Sequence, residues 1–261
     1  MSSDQAADPA GQPGVGRLGL CAGCSFYPDY LNSRRCTPGD ACIRAHSGRQ
    51  IDRFLRNNRE LAANYLNDIF WERRAIAARY AAVDAIFGLK SDPDEVVRRV
   101  VATRLPPDQL VSMIRDPDRE VRLSVAARLP EPLLVQLVDD PDYLIRATVA
   151  RRLPHGQLAK MARDAEREVR KVVAGRLPAF ALHLLADDPE PEVRAIVAER
   201  ALPGLAAALL QDAEWWVRLA AVGNAPSEFL AALADDPEVE IREAVAARLA
   251  EETARHQGST R

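Results

Sequence analysis

The chain of 261 residues is 48% apolar and 28% charged and has a formal charge of −3. That is the balance of a soluble folded protein, and it excludes a globally basic nucleic-acid binder while leaving room for a local basic stripe. Aromatics make up only 5% of residues, so the predicted core is aliphatic, built from Val, Leu and Ala.

Residues 1–20 read as a flexible tail. The opening MSSDQAADPAGQPG is acidic and has no apolar stretch of the kind a secretory signal carries. Nowhere does an apolar run approach the roughly eighteen residues of a membrane helix. The expected location is the cytoplasm, with no membrane partner. There, clustered cysteines are more often metal ligands or redox thiols than disulfides.

Residues 21–67 are predicted to form a four-cysteine domain with a docking helix. Cys21, Cys24, Cys36 and Cys42 are all the cysteines of the chain, spaced C-x2-C, x11, then C-x5-C. Gly19, Gly23, Pro28, Pro38 and Gly39 make the surroundings loop-like, and few apolar residues are available for a core. A segment this poor in apolar surface needs a staple, which thiolates around a metal centre supply. The wide second pair and four sulfur donors suit a 4Fe–4S cluster. Spacing alone leaves zinc open as the weaker alternative, and free or disulfide-linked thiols behind it. His46 is a substitute ligand candidate, although a surface residue at a helix start is the preferred reading. Arg34, Arg35 and Arg44 would offset the charge of a metal–thiolate centre. Residues 47–67 read as one helix whose stripe of Ile51, Phe54, Leu55, Leu61, Ala62, Tyr65 and Leu66 docks the head. Arg49, Arg53 and Arg56 form a basic edge beside it.

Residues 68–250 form an array. A 24-residue block opens at Asp92, Asp116, Asp140, Asp164, Asp188, Asp212 and Asp236, and reads roughly D-P-[DE]-x-x-V-R-x-x-V-A-x-R-L-P. A fixed period of this size means a solenoid, whose units bury their apolar faces only by stacking. In the unit at Asp116, that residue is the expected N-cap and Pro117 the first helical residue. Val121, Val125 and Leu129 form one stripe, and Pro130 stops a helix of about twelve residues. Leu134 and Leu137, spaced by three, fit a short 3₁₀ turn, and a single α-turn would serve as well. Residues 68–91 look like an eighth, degenerate unit that caps the array, because Arg74, Ala78, Ile86 and Leu89 fall in register.

Two arginine rows run through the array. Arg98, Arg122, Arg146, Arg170, Arg194, Arg218 and Arg242 take the seventh place of every unit. Each follows the acid at the third place by four residues, so an ion pair within the helix is the expected role, ahead of a phosphate-binding ribbon. The second row (Arg104, Arg128, Arg152, Arg176, Arg200, Arg248) is expected to act near helix C-termini. Trp215 and Trp216 break the pattern, with Tyr143 in the register of Trp215, and at least one of the two indoles is expected to be exposed. Residues 251–261 read as a polar tail. His46, His155, His183 and His256 lie in unrelated registers, and no phosphate loop or nucleophile elbow is present. Catalysis is therefore not expected.

The repeat consensus resembles the leucine-rich repeat variant family, and its pairing with a four-cysteine head is similar to the iron–sulfur members of that family. Ala165 and Ala213 in the second place, and Asn224-Ala225 for Arg-Leu, depart from the pattern. The resemblance implies an all-α, right-handed superhelical solenoid alternating α-helix with 3₁₀ helix. It also implies a 4Fe–4S cluster held by Cys21, Cys24, Cys36 and Cys42, and it supplies no activity. The expected function is a non-enzymatic scaffold that binds an unknown protein or redox partner on the solenoid surface, with a structural or redox-sensing cluster. Electron transfer to a docked partner and nucleic-acid binding along the arginines, the latter not favoured, are the alternatives.

Overall fold

The structure, a computed structural model, describes residues 19–259. All but Gly19 and Leu20 of the expected tail lie outside those residues. Among the described residues the regular secondary structure is all α- and 3₁₀-helix, joined by turns, apart from one isolated bridge, Thr37 to Ala41. It divides after Val125 into two compact units.

The first unit begins with the head: short turns at Gly19–Cys21 and Asp29–Asn32, a helix at Gly48–Asn57 and a 3₁₀ segment at Arg59–Tyr65. The single helix expected over 47–67 is broken at Asn58 (φ −136°, ψ 55°). The Asn58 side chain is wholly buried and accounts for the break, because its amide binds the Phe54 carbonyl (2.8 Å) and so ends the helix with a local bond. Repeats then follow, with α-helices at Trp71–Tyr80 and Glu95–Arg104 and a 3₁₀ helix at Pro107–Met113. In the second unit the alternation continues with 3₁₀ helices at Glu131–Leu137 and Ala179–Leu185, and α-helices at Tyr143–Arg152, Arg167–Arg176, Pro191–Arg200 and Trp215–Val222.

The stripe read from the sequence is the core. Val97, Val101, Leu105 and Leu110 are wholly buried, as are Val169, Val173 and Leu182 in the second unit. The residue before the stop proline turns extended, as Leu105 does (φ −60°, ψ 148°), because a following proline crowds the helical conformation. The last repeat has Ala250 where five others have proline and one has Leu202 followed by Pro203, and its helix runs on as Val239–Ser259 through the residues expected to form a polar tail.

Two local expectations are corrected. The leading aspartate does not cap the helix. Asp94, the third-place acid, accepts from the N–H groups of Val96 (2.9 Å) and Val97 (3.4 Å), and the helix starts one residue later, ten residues long rather than about twelve. Asp92 is occupied elsewhere. Its Oδ1 accepts from the Asp94 N–H, and both its oxygens are clamped by Arg74 of the preceding repeat, at 2.8 Å each.

That clamp is the second correction. Unlike Arg242 in the last repeat, the seventh-place Arg98, Arg146, Arg170, Arg194 and Arg218 pair with the leading aspartate eighteen residues on, not with the acid four residues back. Arg98 binds Asp116 in the first unit. Arg146, Arg170, Arg194 and Arg218 bind Asp164, Asp188, Asp212 and Asp236 in the second. Each is bidentate, and Nη1 of each arginine also donates to the carbonyl of its own leading aspartate, as Arg170 does to Asp164 (2.9 Å). Arg74 makes the same set of bonds, to the Asp92 carboxylate and the Asp68 carbonyl. The second row caps helices too, but those of the preceding repeat. Arg152 donates to Ala126 and Leu129 carbonyls at 2.7 and 2.8 Å, and Arg104 to those of Ala78 and Ala81. Asn224, replacing arginine, still reaches the Ala198 carbonyl (3.1 Å).

Candidate metal centre

Three local devices turn the four cysteines toward one place. Cys24 closes a turn on Cys21 through its N–H (3.1 Å), helped by Gly23 at φ +68°, a conformation that strains other residues. The C-x5-C segment is pinched by the Thr37–Ala41 bridge, with N–H to carbonyl bonds of 2.9 and 2.8 Å in the two directions. The bridge brings Cys36 and Cys42 to the same side. Cys42 is then anchored to the docking helix by its N–H on the Gln50 carbonyl (3.2 Å), while the Gln50 side chain donates to the Gly39 carbonyl (2.6 Å).

All four thiols line one pocket, walled by apolar side chains that include Phe26, Ile43 and Phe54. Phe54 is almost wholly buried and packs against Phe26 (5.6 Å between ring centres) and Tyr30 (6.3 Å). Cys42 is buried and the other three cysteines are half-buried. Burial raises the Cys21 thiol above its ordinary pKa, as do the charges of Cys42 and Cys24, against a lowering from Arg44. Cys36 is raised by burial first and then by Cys21, Cys42 and Cys24. Ionised together the sulfurs would repel one another, a cost that a positively charged metal centre offsets. Yet no three metal-ligating side chains among the described residues converge tightly enough to hold a single ion.

The donor set fits an iron–sulfur cluster: four sulfurs, no carboxylate or imidazole in the pocket wall, and a mainly apolar lining in which Tyr27 is the one other polar side chain. His46 does not join it. It is exposed and meets Phe70 edge-on at 6.2 Å.

Of the arginines beside the cysteines, Arg44 bonds the Ala22 carbonyl within the Cys21–Cys24 loop, and Arg34 is exposed. Arg35 stacks on Tyr30 at 4.2 Å, donates to Asn58 Oδ1 at 2.8 Å and pairs with Glu60. Asn58 returns a bond to the Arg35 carbonyl (2.9 Å). Asn58 thus clamps the residue before Cys36 to the docking helix. Nothing in the sequence singled it out, because one asparagine after an apolar stripe carries no periodic mark. The basic edge is largely consumed internally, with Arg53 on Asp40 and Arg56 on Asp52. Asp52 also takes Tyr80 (2.9 Å) and Arg79 (3.0 Å), which fastens the docking helix to the first repeat. On the array, Trp216 is 38% exposed and leans edge-on against half-buried Trp215, so one indole of the pair is open as expected.

Comparison with known proteins agrees with this geometry. Residues 15–64 match a family model described as an LRV protein FeS4 cluster, and residues 119–142 and 215–238 match leucine rich repeat variant units. A solved structure, described as a leucine-rich repeat variant with a novel repetitive structural motif, is 55% identical. It covers 87% of this chain and 97% of its own, with a TM-score of 0.82. A curated relative, an uncharacterized 27.7 kDa protein in the nifB 3' region of Rhodobacter capsulatus, is 39% identical over 86 residues. That match spans 33% of this chain and 35% of the relative.

Proposed function

This chain belongs to the leucine-rich repeat variant family and bears its iron–sulfur head, and from that premise we propose that it is a non-enzymatic, cytoplasmic scaffold. In this reading Cys21, Cys24, Cys36 and Cys42 hold one 4Fe–4S cluster, which is structural or senses redox state, while the repeat surface binds a macromolecular partner. The observation that carries it is the convergence of all four thiols on one apolar pocket backed by Phe54. Tetrahedral zinc needs its sulfurs about 3.8 Å apart, and a cubic cluster spaces them more widely because its own iron and sulfide lie between them. The match of residues 15–64 to a family model described as an FeS4 cluster favours the cluster over zinc.

When bound, the cluster supplies a one-electron couple. The protein's part is to hold it: Asn58 and Gln50 fix the two cysteine-bearing loops on the docking helix, and Asp52 fixes that helix on the repeat behind it. The head is thus bonded directly to a packed element of the array. Electron transfer is the second reading, favoured by the half-exposure of Cys21, Cys24 and Cys36. Binding of nucleic acid draws little support, because Arg74, Arg98, Arg146, Arg170, Arg194 and Arg218, which would meet phosphates, are clamped on aspartates whose side chains are 3–7% exposed.

The test is anaerobic purification of the full chain. The expected preparation is brown, absorbs broadly near about 400 nm and contains about four irons and four sulfides. Single Cys→Ser variants should lose that iron. A colourless protein with one stoichiometric zinc sinks the cluster and every redox role. For the scaffold role, partner capture should differ between wild type and Cys36→Ser if the cluster senses, and should survive redox cycling if it is structural. A cluster that passes electrons reversibly to a docked carrier would favour the second reading.

A further inference from the structure

The last repeat leaves its half of the inter-repeat clamp unfilled. Arg242 is anchored like every other member of its row, with Nη1 on the carbonyls of Asp236 (2.6 Å) and Pro237 (3.0 Å). In Arg218 the same anchoring, to Asp212 and Ala213, turns Nε and Nη2 onto the Asp236 carboxylate at 2.9 and 3.0 Å. Eighteen residues after Arg242 stands Thr260, and the helix continues to Ser259 instead of turning. Among the described residues no carboxylate meets Arg242. It is exposed, whereas the side chains of Arg170 and Arg218 are 10% and 13% exposed. The Nε–Nη2 edge is a carboxylate seat whose orientation is already set.

The seat lies in an uncovered apolar face. Leu249 is 36% exposed where Leu153 and Leu177, its counterparts, are buried, and Val239 is 47% exposed. Ala246 is exposed where Ala150, Ala174 and Ala198 are wholly buried. Val239, Arg242, Glu243, Ala246 and Leu249 fall on one side of the helix at helical spacing. Glu243 is exposed and next to Arg242, so the face carries both an arginine without a carboxylate and a free acid. A twofold interface requires such self-complementarity, because each copy must offer what the other lacks. Head-to-tail stacking would need a free leading aspartate at the other end. Asp68 is already engaged there by Arg73 (2.8 Å) and the Phe70 N–H (2.9 Å).

We propose that the outer face of the final helix is a homodimer interface, in which Arg242 of each copy donates to Glu243 of the second copy and Val239, Ala246 and Leu249 pack at the centre. This stands independently of the cluster. The test is sedimentation equilibrium of the full chain from roughly 1 to 200 µM, with circular dichroism to confirm that each variant folds. The wild type should dimerise, and Arg242→Glu and Leu249→Glu should each weaken the dimer about tenfold or more. The double variant Arg242→Glu, Glu243→Arg should recover it, a result that loss of fold cannot imitate. A wild type monomeric across the whole range, or a dimer indifferent to Leu249→Glu, overturns the proposal.

Discussion

Arg194 and Asp212 show how a single pair works in this chain. Their side chains are 15% and 7% exposed, and two bonds of 2.7 and 2.9 Å join them. A buried pair of this kind is a weak net stabiliser against an apolar substitute, but removing one partner strands the other charge. The Arg194 hydrogen bond holds the Asp212 carboxyl below its ordinary pKa, with burial opposing, and the Glu214 N–H and the charges of Arg194 and Arg218 assisting. A carboxyl depressed in the folded state contributes stability that is complete above the unfolded value of about 4 and is lost as pH falls through the folded value. Asp212→Ala should therefore cost about 3–5 kcal/mol at pH 7, read from urea midpoints. The penalty should shrink at pH values well below the unfolded value, as the wild-type carboxyl takes up its proton. An equal penalty at neutral and low pH would show that packing, not charge, holds the pair. The arginine row was legible as a period of 24. Its partner was not, because a contact eighteen residues away exists only once two repeats are stacked, whereas an acid four residues back is visible on the page.

At the scale of the element, the helices owe their starts to the third-place acid, and side-chain length decides whether it caps. Asp94 reaches the N–H groups of Val96 and Val97, whereas Glu166, Glu190 and Glu214 make no side-chain cap. The extra methylene carries the carboxylate past the first turn. Asp94→Ala is expected to lower stability by about 1 kcal/mol and Glu214→Ala by no more than about 0.5 kcal/mol, measured by denaturant titration. Equal effects would mean that both acids act only through the helix dipole. Apolar periodicity, the stop prolines and the presence of a short second element were readable, because each depends on neighbours within one turn; whether that element is 3₁₀, as at Glu131–Leu137, or α, as at Pro203–Leu209, was not. The start of the helix was misplaced by two residues because an aspartate followed by proline is a good cap in isolation, and here the preceding repeat's arginine claims it.

For the whole molecule, the head and the array meet through the docking helix, with Asp52 bonded to Tyr80 and Arg79 and with Ile51 and Leu55 wholly buried. A repeat array is stabilised by nearest neighbours, so damage to the head should spread one repeat and stop. Cys36→Ser should abolish iron binding and speed amide exchange in Trp71–Tyr80 by about tenfold or more, while Pro191–Arg200 changes by less than about twofold. Uniform deprotection of both helices would show the array to be one cooperative block.

From its residues alone the chain declared an aliphatic, all-helical array of 24-residue units behind a four-sulfur head, since periodicity, prolines and cysteine identity are properties of the covalent sequence. What joins the units was decided only in three dimensions. The clamp of Arg98 on Asp116, the reach of Arg152 to Ala126 and the hold of Asn58 on Arg35 all connect groups eighteen or more residues apart. Such partners become neighbours through stacking, and a buried charge takes the partner that stacking brings within reach.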